Sequence, residues 1–200
     1  MKNIQVSILF ILIINTIAIF SQVKYAELKE KIVMSSITYS RVNPYENVGV
    51  QIGYTREGRI ALGILFSTST THSPNKSAGI FIEGALLKPS SDDIIGIDLG
   101  VAGVKSFATD YSGYIKSITG VIGTLELFIP STSTPVSPFI QLSGASAKSI
   151  FITALAFGAD ISIGDRNKPS IILTPGLAFS SESPLMAEVD LAIIISRSKK

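Results

Sequence analysis

The side chains that could do chemistry are few and scattered. His72 is the only histidine. It falls in a polar cluster, His72-Ser73-Pro74-Asn75-Lys76. A Ser-His-Asp arrangement would have to recruit it with a partner such as Ser67 or Asp92, and Ser and Asp are frequent enough here that the spacing carries no signal. A metal site would need His72 to meet Asp92 and Asp93 across loops. The Asp92-Asp93 pair reads as a turn with solvated carboxylates, at most a weak calcium binder. There is no cysteine, which excludes disulfides, thiolate metal sites, a Cys nucleophile and a lipidated Cys. Gly96, Gly100 and Gly103 fall inside an alternating apolar stretch. They read as lumen packing or close strand approach rather than a phosphate loop. No catalytic residue, metal site or cofactor site is expected, and the chain is read as a non-enzyme.

What remains is a set of isolated acids: Glu83, Asp98, Glu126, Asp160, Glu188 and Asp190. Each sits among small residues on one parity of an alternating segment. Facing lipid, such a group would cost a few kcal/mol near the midplane. Facing the inside of a barrel, it could be hydrated or paired with a base such as Lys31 or Arg41. These six are therefore expected to face a lumen.

The elements that carry them have a period of two. Phe151, Thr153, Leu155, Phe157, Ala159, Ile161 and Ile163 alternate with Ile152, Ala154, Ala156, Gly158, Asp160 and Ser162. Ile95, Ile97, Leu99 and Val101 alternate with Gly96, Asp98, Gly100 and Ala102. Ile60, Leu62, Ile64 and Phe66 do the same, as do Val48, Val50, Ile52 and Tyr54, and Val189, Leu191, Ile193 and Ile195. Ile171 to Ser180 follows the pattern less cleanly, because Ile172 and Pro175 interrupt it. Alternation of this length indicates strands with two chemically different faces. Polar turn clusters separate them: Thr55 to Arg59, His72 to Lys76, Lys88 to Asp93, Asp110 to Gly113, Pro130 to Pro135, Gly164 to Pro169 and Ser180 to Pro184. The segments between are mostly about 9–11 residues, the length a tilted strand needs to cross a bilayer. Tyr25 to Lys31 has the composition for one helical turn but is expected to lead into the first of them.

Which face points inward decides the class. Mean hydropathy is +0.44 and 46% of residues are hydrophobic, yet after the N-terminus no apolar run reaches the roughly 20 residues of a membrane helix. A water-facing strand surface carries Lys, Glu, Arg and Thr in quantity. Here the second face is Gly, Ala and Ser with isolated acids, which suits the crowded interior of a narrow barrel. The expected fold is all-β: an antiparallel, up-and-down transmembrane β-barrel of about 8–10 strands. With a net charge of +2 and 16% charged residues, there is no field for nucleic acid.

Met1 to Ser21 reads as a secretory signal peptide: Lys2, then an apolar stretch from Ile8 to Phe20, then a small residue. The organisation expected is a cleaved leader at 1–21 and a barrel domain at 22–200.

Three segments resemble a known family. Ser137-Pro138-Phe139-Ile140-Gln141-Leu142-Ser143-Gly144 resembles the proline-aromatic strand of small outer-membrane β-barrels. Phe157-Gly158-Ala159-Asp160-Ile161-Ser162-Ile163-Gly164 is similar to the strand and turn that follow it. Pro175-Gly176-Leu177-Ala178-Phe179-Ser180 resembles the penultimate strand. The family is the porin-like outer-membrane β-barrel domain of Bacteroidetes type. The chain departs from it in lacking Trp, in having six Tyr, and in ending Ile195-Ser196-Arg197-Ser198-Lys199-Lys200 without an aromatic. The resemblance implies the bacterial outer membrane, a lipid bilayer around the barrel and the assembly machinery as a partner in biogenesis. It transfers no catalytic residue. The expected function is structural, adhesive or envelope-maintaining. The alternative is a secreted or periplasmic soluble β-barrel that buries Phe66, Leu99 and Phe157 around an apolar ligand. A narrow channel and a membrane-embedded lipid enzyme rank below both.

Overall fold

The computed structural model describes Lys24 and residues 30–42, 45–56, 59–70, 75–88, 95–109, 115–130, 135–148, 150–165, 168–181 and 183–199. The expected leader, His72, Asp92, Asp93 and residues 25–29 lie outside them. Ten strands follow one another: β1 (Glu30–Val42), β2 (Tyr45–Arg56), β3 (Ile60–Ser69), β4 (Lys76–Leu87), β5 (Gly96–Thr109), β6 (Ile115–Phe128), β7 (Val136–Ala147), β8 (Ile150–Asp165), β9 (Lys168–Ser180) and β10 (Ser183–Lys199). Each pairs antiparallel with its predecessor, and β10 pairs antiparallel with β1, so the sheet closes into a barrel with no free edge. Closure satisfies the ladder of every strand, which is what a sheet in hydrocarbon requires. No described helix is long and apolar enough to cross a membrane; a barrel crosses with strands.

The ladders are staggered. Ser36 pairs with Gln51, Gln51 with Leu65, Leu65 with Gly79, Gly79 with Val104, and Val104 with Gly120. That line leaves the middle of β1 and climbs towards the β7–β8 hairpin. Such a stagger tilts the strands and lets the ring close. The hairpin itself is tight: Lys148 takes a left-handed φ of 55°, as two-residue connections between twisted strands demand. Pro175 sits mid-strand in β9 without ending it. The β8–β9 ladder has pairs at Gly158–Gly176 and Ile161–Leu173 with none between. The residue with no N–H to donate occupies that gap.

The large apolar parity points outward. Phe66, Leu99 and Phe157 are 54%, 44% and 41% exposed, which corrects the soluble-barrel alternative that would have buried them. Leu99, Leu125, Leu142, Leu155 and Phe179 stand abreast across β5 to β9, partner to partner in the ladders. Phe157 and Phe179 meet edge to face, centroids 6.5 Å apart.

The inside is filled but not uniformly small or polar. Ile32, Met34, Ile122 and Ile152 are fully buried there. One apolar cluster joins Leu65, Phe81, Val104, Ile118, Ile122 and Ile152, and another joins Ile32, Met34, Ile172 and Ala192. Ile172, which interrupts the small-residue face in the sequence, keeps the parity and packs inside. Gly103 lies on the outward parity with open space around it, so it does not pack in the interior as Gly96 does. Two turn clusters are also shorter than their polar composition suggests: β8 runs to Asp165 and β9 resumes at Lys168, while β9 and β10 extend into Ser180 to Pro184.

Candidate lumenal site

All six sequence-selected acids lie on buried parities of the closed wall, each between 1% and 3% exposed. Glu83 of β4 stands between Ala61 and Gly100. Glu188 of β10 stands between Ser40 and Gly176. The other four are linked. Asp98 of β5 is directly opposite Glu126 of β6. Asp160 of β8 accepts a 2.7 Å hydrogen bond from the Thr174 hydroxyl, and Asp190 of β10 accepts one of 2.7 Å from Thr38. Thr174 is itself the ladder partner of Asp190, so the two hydrogen bonds, one from β9 to β8 and one from β1 to β10, lie side by side in the interior.

The base that meets these acids is neither Lys31 nor Arg41. Lys31 sits on the parity of β1 opposite to the buried one. Arg41 is largely exposed and reaches Glu46 at 3.7 Å. Lys24, which lies ahead of β1, instead enters the barrel with a side chain only 3% exposed. Its ammonium donates to Glu126 at 3.2 Å and to Asp160 at 2.5 Å. It also lies 4.5 Å from the ring centroid of Phe128 and 5.3 Å from that of Phe139. Two carboxylates and two aromatic faces enclose one cation, an arrangement in which ion pairing and the ring quadrupoles act together.

Glycines hold those rings in place. Phe128 pairs with Gly96, Phe139 with Gly158 and Phe81 with Gly63 across the ladders. A Cβ on Gly96 would fall 2.2 Å from the Phe128 ring, and one on Gly158 would fall 2.4 Å from the Phe139 ring. The missing side chain is the space the ring occupies. A Gly158→Ala variant is expected to lose about 1–3 kcal/mol through overpacking, because the Pro175 carbonyl at 2.8 Å closes the other direction. Urea unfolding of the micelle-bound protein measures this, and in a Phe139→Ala background, where the ring is gone, Gly158→Ala should cost little further.

Sequence reasoning missed Lys24 and the three interior phenylalanines. The signal for the rings was available: Phe128 is two residues from Glu126, Phe81 two from Glu83 and Phe139 two from Gln141, so each shares a buried parity.

No family model matches the chain, and no curated protein matches it. Solved structures do. The KdgM porin is 7% identical with a TM-score of 0.52, covering 80% of this chain and 98% of its own. KdgM porin in complex with disordered oligogalacturonate is 8% identical with a TM-score of 0.51, covering 80% and 98%. The N-terminal β-barrel domain of Pseudomonas aeruginosa OprF is 10% identical with a TM-score of 0.49, covering 84% and 98%. At these identities the likeness is one of fold: a porin-type, closed antiparallel barrel.

Proposed function

We propose that this chain is an integral β-barrel of the bacterial outer membrane with a structural, adhesive or envelope-maintaining role and no catalytic activity. The observation that carries this reading is the inversion of the barrel. Its outward face is a belt of Leu, Ile, Val and Phe, while its acids point the other way. An exposed apolar band of this extent is far larger than a water-soluble monomer keeps. On this reading residues 1–21 are a leader, 22–200 form the barrel domain, the bilayer is the main partner, and the assembly machinery inserts the chain. The six acids are then lumen residues. The interior filled by Ile32, Met34, Ile122, Ile152 and the Lys24 cluster favours a closed barrel over an open pore.

The test is folding into lipid. The unboiled protein is expected to migrate faster on a gel than the boiled protein, and to fold only with detergent or vesicles present. Recovery of a folded, water-soluble monomer would overturn the reading. A second reading, a narrow pore, is favoured by the likeness to the KdgM porin and by the acids of the interior. Planar-bilayer recording separates the two: the closed-barrel reading expects no stable open-channel steps, and a pore expects cation-selective ones.

A further inference from the structure

We infer that the interior holds a binding cage for a primary alkylammonium, and that Lys24 occupies it as a tethered ligand. The cage is built from strands: Glu126 and Phe128 come from β6, Phe139 from β7 and Asp160 from β8. Its occupant comes from none of them. Lys24 precedes β1 and reaches in from the chain's own N-terminal side, so the walls of the cage exist independently of what fills it.

Two further observations point to a ligand rather than a closed structural ion pair. First, the acids exceed the bases: Lys24 and Lys88, the two cations whose charge reaches Asp98, stand against three carboxylates. Asp98 faces Glu126 across the ladder and is 1% exposed, and neither of its carboxylate oxygens has a hydrogen-bond partner among the described residues. A buried carboxylate left in that state is costly, and it adds negative charge beside the ammonium. Second, half of the cage is aromatic. Phenyl faces attract an ammonium but offer no lone pair to a metal ion. Among the described residues no group of acids is arranged to hold a metal. Carboxylates at hydrogen-bond distance select N–H donors, which a quaternary ammonium lacks. The chemistry that fits is an –NH3+ on a short alkyl stem, which is what Lys24 supplies.

A tethered ligand competes at an effective concentration in the millimolar range. A free amine is therefore excluded until Lys24 leaves or loses its charge. The test uses the full chain folded in detergent micelles and n-butylammonium chloride as probe, with potassium chloride matching ionic strength. Lys24→Ala, which vacates the volume of the lysine stem, is expected to bind n-butylammonium at least about tenfold more tightly than the unaltered chain. Adding Asp160→Asn should abolish that gain, and tetramethylammonium should not bind in either case. Equal binding by the unaltered chain and Lys24→Ala overturns the inference, as does a gain that survives Asp160→Asn.

Should Lys24→Ala not fold, acylation of the unaltered chain decides. Lys24 is expected to resist an amine-reactive reagent that modifies exposed Lys148, and excess n-butylammonium should open Lys24 to labelling. Labelling of Lys24 as fast as Lys148, or no response to n-butylammonium, overturns it. The cage requires only the closed interior, so it can fail while the barrel still folds into lipid, and the reverse.

Discussion

A Lys24→Met variant is expected to lose about 3–5 kcal/mol of folding free energy, the cost of removing one partner from a buried ion pair. The methionine keeps an apolar stem of similar length and removes the ammonium that lies over Phe128 and Phe139, so the loss isolates the charge. What remains is Glu126 and Asp160, both buried and both within hydrogen-bond reach of where the ammonium stood, with Asp98 opposite. Three carboxylates would then share one enclosed space with their principal cation removed. Adding Glu126→Gln and Asp160→Asn to Lys24→Met should return most of the stability, because the repulsion goes with the charges. Urea unfolding of the vesicle-inserted protein measures all of these. A loss below about 1 kcal/mol, the scale of an exposed pair, would mean that the Lys24 ammonium is in contact with water.

The outward face makes the second large prediction. Leu142 lies midway along β7, is 53% exposed, and has Leu125 and Leu155 as ladder partners on either side. On a water-facing surface, Leu142→Arg would change stability by no more than about 0.5 kcal/mol. On a lipid-facing one near the midplane it is expected to cost about 2–4 kcal/mol. Arg at Ile115, which is 73% exposed at the start of β6, should cost much less, because the side chain can reach the interface. The dependence on depth, more than either number, marks a membrane barrel.

Much of this was legible in the sequence because strand parity is a two-state code. A residue's partners two positions away fix its side of the wall, so the outward Leu99 and Phe157 and the buried Asp98 and Asp160 follow from the pattern. Parity also holds where residue type misleads. Ile172 looks like an error in a small-residue face and is a packed interior side chain. Phe128 looks like a lipid-facing aromatic and sits over Gly96. What parity cannot give is the relation between strands. The pairing of each interior Phe with a glycine depends on register, which local sequence leaves open.

The hairpin through Lys148 carries little of the usual turn chemistry. It is defined by the pairing of β7 with β8. Lys24 was illegible for a different reason: it belongs to no strand, so no period places it. A lysine in a charged stretch, with Glu27, Lys29, Glu30 and Lys31 close behind it, looks solvated until the barrel closes around it.

The direct test of the inverted barrel is the environment of Phe157. The chain has no cysteine, so Phe157→Cys creates a unique site midway along β8, beside the outward Phe179. A spin label there, with the protein folded into phospholipid vesicles, can be probed with dissolved oxygen and with a water-soluble nickel chelate. An outward face in contact with lipid predicts strong relaxation by oxygen and little by nickel. Strong relaxation by nickel with little by oxygen would place Phe157 in water and contradict the membrane-embedded barrel.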